Sequence, residues 1–184
     1  MERRPAPRRL PTERRAATPE EAKALANPLR LRILRLCLDR ALTNEELAAR
    51  LGRDAGSMLH HVRMLVETGF LAAEEERRGA RGSVERPYRA TGKSWTLDVG
   101  DDPSDGATGQ DPGTLALIDA FRDEMAEVPR ESVMTTTRLG VRLTPEVQES
   151  FGLRFKELVD EMAAADDPEG EPYGLFIGMH KRAD

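Results

Sequence analysis

Apolar residues in the first half of the chain recur every three or four positions, the spacing of a buried helix face. In "PLRLRILRLCLD", Leu31, Leu34 and Leu38 make one stripe, which Ile33, Leu36 and Cys37 widen. A shorter segment, "NEELAARLG", turns Leu47, Ala48 and Leu51 inward, and "AGSMLHHVRMLVETG" gathers Met58, Val62 and Leu65 on one side. Polar residues punctuate these runs. Thr18 with Glu21, and Thr43 with Glu46, have the spacing of a capping box, in which a hydroxyl and a carboxylate satisfy the first free amides of a helix. Pro19 suits a first helical position, Asn27-Pro28 marks a break and a restart, and Asp54 is placed to cap. Gly52 and Gly69 are stops. Two short helices around the Gly52 turn predict a helix-turn-helix unit.

Past residue 69 the pattern changes. "FLAAEEE" and "SVERPYRAT" flank "RRGARG" and predict a β-hairpin with an arginine-rich tip. "TLALIDAFRDEMAEV" spaces Ile118, Phe121, Met125 and Val128 by three, four and three, a helical seam suited to another helix. "TRLGVRLT" alternates Leu139, Val141 and Leu143 with Arg138, Gly140 and Arg142, the period of a strand. Thr144-Pro145 opens an amphipathic helix carrying Val147, Phe151, Phe155, Leu158, Val159 and Met162, and "YGLFIGMH" predicts a last strand. No internal repeat is visible. The expected fold is α+β and mostly helical. It comprises a basic disordered arm (1–16), a winged helix-turn-helix domain (17–96), a linker (97–113) and a smaller C-terminal helix/strand domain (114–184) for dimerisation or effector binding.

Charge sharpens this division. The formal net charge is −5, yet the first 94 residues carry 20 basic and 13 acidic side chains while the remaining 90 carry 8 and 20. A basic half joined to an acidic one suggests that the basic half meets a polyanion, although two solvated surfaces would look the same. No apolar run approaches the roughly 20 residues of a membrane span. The Arg- and Pro-rich start lacks the hydrophobic core of a secretory signal. The single cysteine, Cys37, sits in an apolar run and cannot form an intramolecular disulfide. The reading is a cytoplasmic protein without membrane partners.

His60 and His61 raise the question of metal binding or catalysis. On a wheel of about 100° per residue measured from Met58, His60 lies near 200°, beside Gly56 (about 160°) and Arg63 (about 140°). His61, near 300°, borders the core face. Neighbouring helical residues diverge too far to share one ion, and a zinc site needs three or four converging ligands. No metal site and no cofactor are expected. Nor is there a nucleophile elbow, a metalloprotease helix or a phosphate-cradling loop before a helix, so no catalytic residues and no enzyme activity are expected.

DNA contact fits better. The second helix of such a unit enters the major groove with its N-terminal residues toward base edges. Gly56 and Ser57 allow close backbone approach, and the helix N-terminus attracts phosphate. Ser57, His60 and Arg63 would carry contacts there. Arg77, Arg78 and Arg81 at the hairpin tip would reach flanking phosphate or the minor groove. Merely solvated side chains are the alternative, most strongly for His61.

Together, "ALANPLRLRILRLC", "TNEELAARLG", "SMLHHVRMLVETGFL" and "ERPYRAT", covering about residues 20–92, resemble the ArsR-type winged helix-turn-helix transcriptional regulators. The resemblance implies homodimers on pseudo-palindromic double-stranded operators, often repressors released by an effector. It also brings two departures. Metal-sensing members carry a Cys-x-Cys pair where this chain has Glu46-Leu47-Ala48-Ala49-Arg50, so metal sensing does not carry over. Leu59 stands where the family often has Ser; it offers a thymine methyl an apolar contact instead of a hydrogen bond.

Ile118, Phe121, Met125 and Val128 are the candidate dimer interface, with packing inside one chain as the alternative. Four of the five Phe and four of the seven Met lie beyond residue 114, as lining for a small-molecule effector or as ordinary core. The leading functional reading is a sequence-specific regulator, a homodimeric repressor whose recognition helix spans about 55–68. The alternatives are a winged-helix module that binds protein and no DNA, and a redox or metal sensor.

Overall fold

The computed structural model describes residues 14–79, 83–98, 112–167 and 169–181. They form two compact units, one built on 14–126 with 176–181, the other on 127–175.

The first unit opens with β1 (Arg15–Ala16) and α1 (Pro19–Leu25). The capping box forms as its spacing requires: Glu21 N–H donates to Thr18 Oγ1 at 3.3 Å, and Thr18 N–H donates to the Glu21 carboxylate at 2.8 Å. Asn27 accepts from Arg30 N–H at 3.1 Å and starts α2 (Pro28–Leu36). β2 (Leu42–Thr43) leads into α3 (Asn44–Arg50) through the second capping box, Thr43 with Glu46. Gly52, with φ of +59°, turns the chain toward α4 (Ala55–Glu67). Gly69, at φ +75°, ends the helix-turn-helix in a conformation that costs a residue with a Cβ.

The hairpin follows. β3 (Leu71–Ala73) and β4 (Arg77–Arg78) run out, and β5 (Val84–Glu85) and β6 (Pro87–Ala90) return. β6 is the centre of a three-stranded antiparallel sheet, pairing β2 through Leu42↔Tyr88 and β3 through Leu71↔Ala90. The outer pair, β4 and β5, registers Arg77 opposite Glu85. This is a winged helix: an α+β, mostly helical fold with a small sheet closing one side of the helices.

Ile33, Leu34 and Cys37, Leu47 and Ala48, and Met58, Val62 and Leu65 are buried together with Leu42, Phe70 and Leu71. Each large side chain removed from water contributes about 1.5–3 kcal/mol, and this contiguous cluster holds the helices on the sheet. Leu31, Leu36 and Leu38, expected in the α2 stripe, are only partly buried around it.

Three expected boundaries shift. Arg15 and Ala16, assigned to the disordered arm, pair in parallel with β7 (Leu97–Asp98), assigned to the linker; Leu97 is buried. The fastening is ionic as well as backbone. Arg15 donates to both oxygens of buried Glu21 at 2.7 and 2.8 Å, and Lys93 Nζ meets the same carboxylate at 2.7 Å. Those two cations, Arg15 foremost, hold Glu21 far below the usual carboxylate range. Lys93 belongs to a 3₁₀ turn, Lys93–Thr96, that ends in β7. Sequence read locally could not foresee a strand whose partner lies some 80 residues away. The rest of the arm (1–13) and most of the linker (99–111) lie outside the described residues. α5 (Pro112–Glu127) begins two residues inside the predicted linker and buries Gly113, Ala116 and Ala120.

The second unit contains a 3₁₀ turn (Arg130–Ser132) and α6 (Pro145–Ala164), capped by Thr144. None of α6 is buried. The strands predicted over 138–143 and 173–180 do not form; neither segment pairs in a ladder. Alternation supplies a strand with two faces but not with a neighbour, and without a neighbour the peptide groups stay with solvent. Leu139 is accordingly 77% exposed.

Candidate nucleic-acid interface

α4 presents two faces. Met58, Val62 and Leu65 are closed from solvent, while Gly56, Ser57, His60 and Arg63 line the opposite, exposed side; Leu59 is intermediate. The apolar period thus aims the four polar-side residues outward without any further device. Asn44, at the start of α3, donates from Nδ2 to Ala55 O at 2.8 Å and ties the two helices of the unit together at the turn. Sequence reasoning missed this residue, because its partner is eleven positions away.

Asp54 caps α4 by accepting from Gly56 N–H at 2.7 Å and Ser57 N–H at 2.9 Å. Those hydrogen bonds, Ser57's first, lower the Asp54 pKa. The expectation that these amides are open to phosphate is corrected: a carboxylate of the same chain already occupies them. Ser57 also donates its hydroxyl to Asp54 O at 3.1 Å, leaving its oxygen as an acceptor toward solvent.

On the wing, Arg77 bridges two elements. Its guanidinium reaches Glu46 of α3 at 2.9 Å and Glu85 of β5 at 3.3 Å. It anchors the wing to the helix-turn-helix, and any contact with phosphate would compete with two carboxylates. Arg78 is exposed; Arg81 lies outside the described residues. Arg86, which sequence reasoning did not single out, pairs with Glu76 at 2.5 Å.

His60 and His61 meet edge to face, ring centroids 5.7 Å apart. Among the described residues, no three His, Cys, Asp or Glu side chains converge as metal ligands would. His61 is half-buried, and its Nδ1 is closed from solvent with no hydrogen-bond partner among the described residues. Burial first, then the charges of Arg30, His60 and Arg53, push its pKa below the ordinary 6.5. The unfolded chain therefore takes up a proton at a pH where the folded one does not. Stability is present above about pH 6.5 and is lost as pH falls toward the folded value. Urea midpoints at pH 7.5 and 5.5 should differ less for His61→Gln than for the parent; equal differences would deny His61 this role.

The buried Cys37 thiol is pushed up to about 12 by desolvation, so little reactive thiolate exists near neutral pH. Of the predicted dimer seam, Ile118 and Val128 are exposed at 43% and 38%, and Met125 is intermediate. Phe121 stacks on Phe176 of the same chain, centroids 5.1 Å apart, so at this position packing within the chain is realised. No described helix is long and apolar enough to cross a membrane.

Comparison with known proteins agrees with the helix-turn-helix geometry. Residues 25–73 match the family described as "Helix-turn-helix domain", from the end of α1 through β3. No curated protein matches the chain in sequence. Similar solved structures include reduced HlyU from Vibrio cholerae N16961, 27% identical over 40% of this chain and 72% of that one, with a TM-score of 0.34. Another is Bacillus subtilis PadR in complex with operator DNA, 14% identical over 74% and 93% of the two chains, with a TM-score of 0.33.

Proposed function

We propose that this protein is a sequence-specific, DNA-binding transcriptional regulator of the ArsR type, acting as a homodimeric repressor in the cytoplasm. The observation that carries this reading is α4 itself: a capped helix of a helix-turn-helix domain, its apolar face locked in the core and Ser57, His60 and Arg63 turned to solvent. Inserted in the major groove, that face brings Arg63 and His60 to base edges, with Ser57 and Leu59 beside them and Gly56 allowing close approach. Arg78 and Arg81 extend the contact to flanking phosphate, and Arg77 joins them when it leaves Glu46 or Glu85.

A two-fold operator calls for a two-fold protein. Ile118 of α5 is available to a second copy, together with the half-buried Met125, and Val128, just beyond the end of the helix, is exposed as well. α6 adds a stripe at Val147, Phe151, Phe155, Leu158 and Met162, each 38–49% exposed. A 20-residue helix with no fully buried residue in its own chain gains stability by packing elsewhere. Glutamate at both Phe151 and Leu158 should convert a dimer to a monomer in sedimentation, with the helix-turn-helix still folded. An unchanged mass would remove α6 from the interface.

Fluorescence anisotropy tests the function. The protein is titrated into DNA from upstream of its own gene and into unrelated DNA of equal length, at two salt concentrations. A preference that survives higher salt supports the regulator. Equal, steeply salt-dependent binding would reduce the surface to a general polyanion contact. No binding to either DNA would favour a protein-interaction module instead.

A further inference from the structure

The outer strand pair of the wing has two unlike faces. Opposite residues in an antiparallel ladder share a face and successive ones alternate, so Arg77 and Glu85 take one side, Arg78 and Val84 the other. Arg78 and Val84 are exposed. Arg77 is held differently. Its Nη2 donates to Glu46 Oε1 of α3 at 2.9 Å, and its Nε donates to Glu85 Oε2 of β5 at 3.3 Å. Those two donors form one of the edges with which a guanidinium grips a phosphate in two parallel bonds. Two carboxylates around one cation also leave this root of the wing net negative, which opposes a polyanion.

Both acids are fastened by something besides Arg77. Glu46 is the third residue of α3, and its other oxygen, Oε2, accepts from Thr43 N–H at 2.8 Å in the capping box. That amide first, and Arg77 after it, hold Glu46 below the ordinary carboxylate range, so it is ionised at neutral pH. Glu85 lies against Gly79, where a Cβ would run into its carboxylate.

We propose that Glu46 and Glu85 hold Arg77 off DNA in the free protein, which makes Glu46 a specificity-determining residue of the interface. An exposed ion pair is weak, and a phosphate presented at a fixed place displaces it. α4 seated on its own sequence fixes the neighbouring backbone in that way. Unrelated DNA, held through shifting phosphate contacts, does not. The latch therefore weakens non-specific binding more than specific binding. That consequence rests on the proposed function; competition between the two carboxylates and a polyanion for Arg77 does not.

Glu46→Gln tests the latch with the fold kept, because glutamine also completes a capping box. Its single oxygen stays with Thr43 N–H, and the amide nitrogen left toward Arg77 accepts nothing. In the anisotropy titration it should tighten unrelated DNA at least about threefold and upstream DNA by less, so the preference narrows. The salt slope on unrelated DNA should steepen by about 0.9, one further phosphate. Both changes should vanish in an Arg77→Gln background, because the gain works through that guanidinium. The same gain without Arg77 means that Glu46 only repels DNA at a distance, and overturns the proposal. Weaker binding by Glu46→Gln overturns it too, making the ion pair a brace for the wing, and so does no change or an equal gain on both DNAs. Elution from a heparin column separates the latch from the regulator reading. Glu46→Gln should need more salt than the parent, and the double variant with Arg77→Gln no more than Arg77→Gln alone. That pattern in a protein that prefers neither DNA removes the regulator reading and keeps the latch; its absence in a protein that prefers upstream DNA removes the latch alone.

Discussion

Alanine at both His60 and Arg63 should cost at least about tenfold in affinity for the preferred DNA, since a base-edge contact contributes roughly 1–3 kcal/mol. Affinity for unrelated DNA should fall much less, because phosphate contacts dominate there. The fold should survive: both side chains are exposed, and α4 is held by Met58, Val62 and Leu65 on its other side. Circular dichroism and thermal unfolding check the fold; anisotropy on both DNAs gives the specificity ratio. If the double variant keeps the parent's preference, α4 is not the element that reads sequence, and the wing or another surface must be.

The largest expected loss of stability is at Phe70. Only 1% of it is exposed, and it sits where α4 hands over to β3. Its N–H donates to Leu65 O at 2.8 Å, and its carbonyl accepts from Thr91 N–H at 3.0 Å. Lys93 Nζ lies 5.2 Å from the ring centroid. Phe70→Ala removes the ring and leaves a cavity between helix and sheet, at a cost of about 3–5 kcal/mol. A domain of this size has roughly 5–15 kcal/mol in total, so the variant should unfold far earlier in urea. A shift below about 1 kcal/mol would mean that the neighbours collapse into the space, and that the core here is less tightly specified than its burial suggests.

The helix α4 is legible in the sequence because everything that defines it is local. A cap residue, an apolar period and a terminal glycine act within a few positions, and so do the capping boxes at Thr18 and Thr43. The exposed set of Gly56, Ser57, His60 and Arg63 follows from that period alone. Asp54 was legible as a cap, yet capping also means that it fills the amides offered to phosphate. Arg77 shows the limit from the other side. Its sequence neighbourhood marks it as a tip arginine, and only the folded chain brings Glu46, 31 residues earlier, to its guanidinium.

Local pattern determined the helices of the winged domain, their caps, their order and the side each turns inward. Backbone hydrogen bonds within a helix, and side chains three or four positions apart, need nothing from distant sequence. Tertiary structure decided whatever requires a partner. It made strands of Arg15–Ala16 and Leu97–Asp98, and left the alternating 138–143 segment and the apolar 173–180 segment without a ladder. It stacked Phe121 on Phe176 and gathered Arg32, Arg53, His61 and Asp123 around one cavity. A strand, a ring stack and a cavity each exist only when remote residues meet, and a period of two or of three and a half carries no record of which ones will.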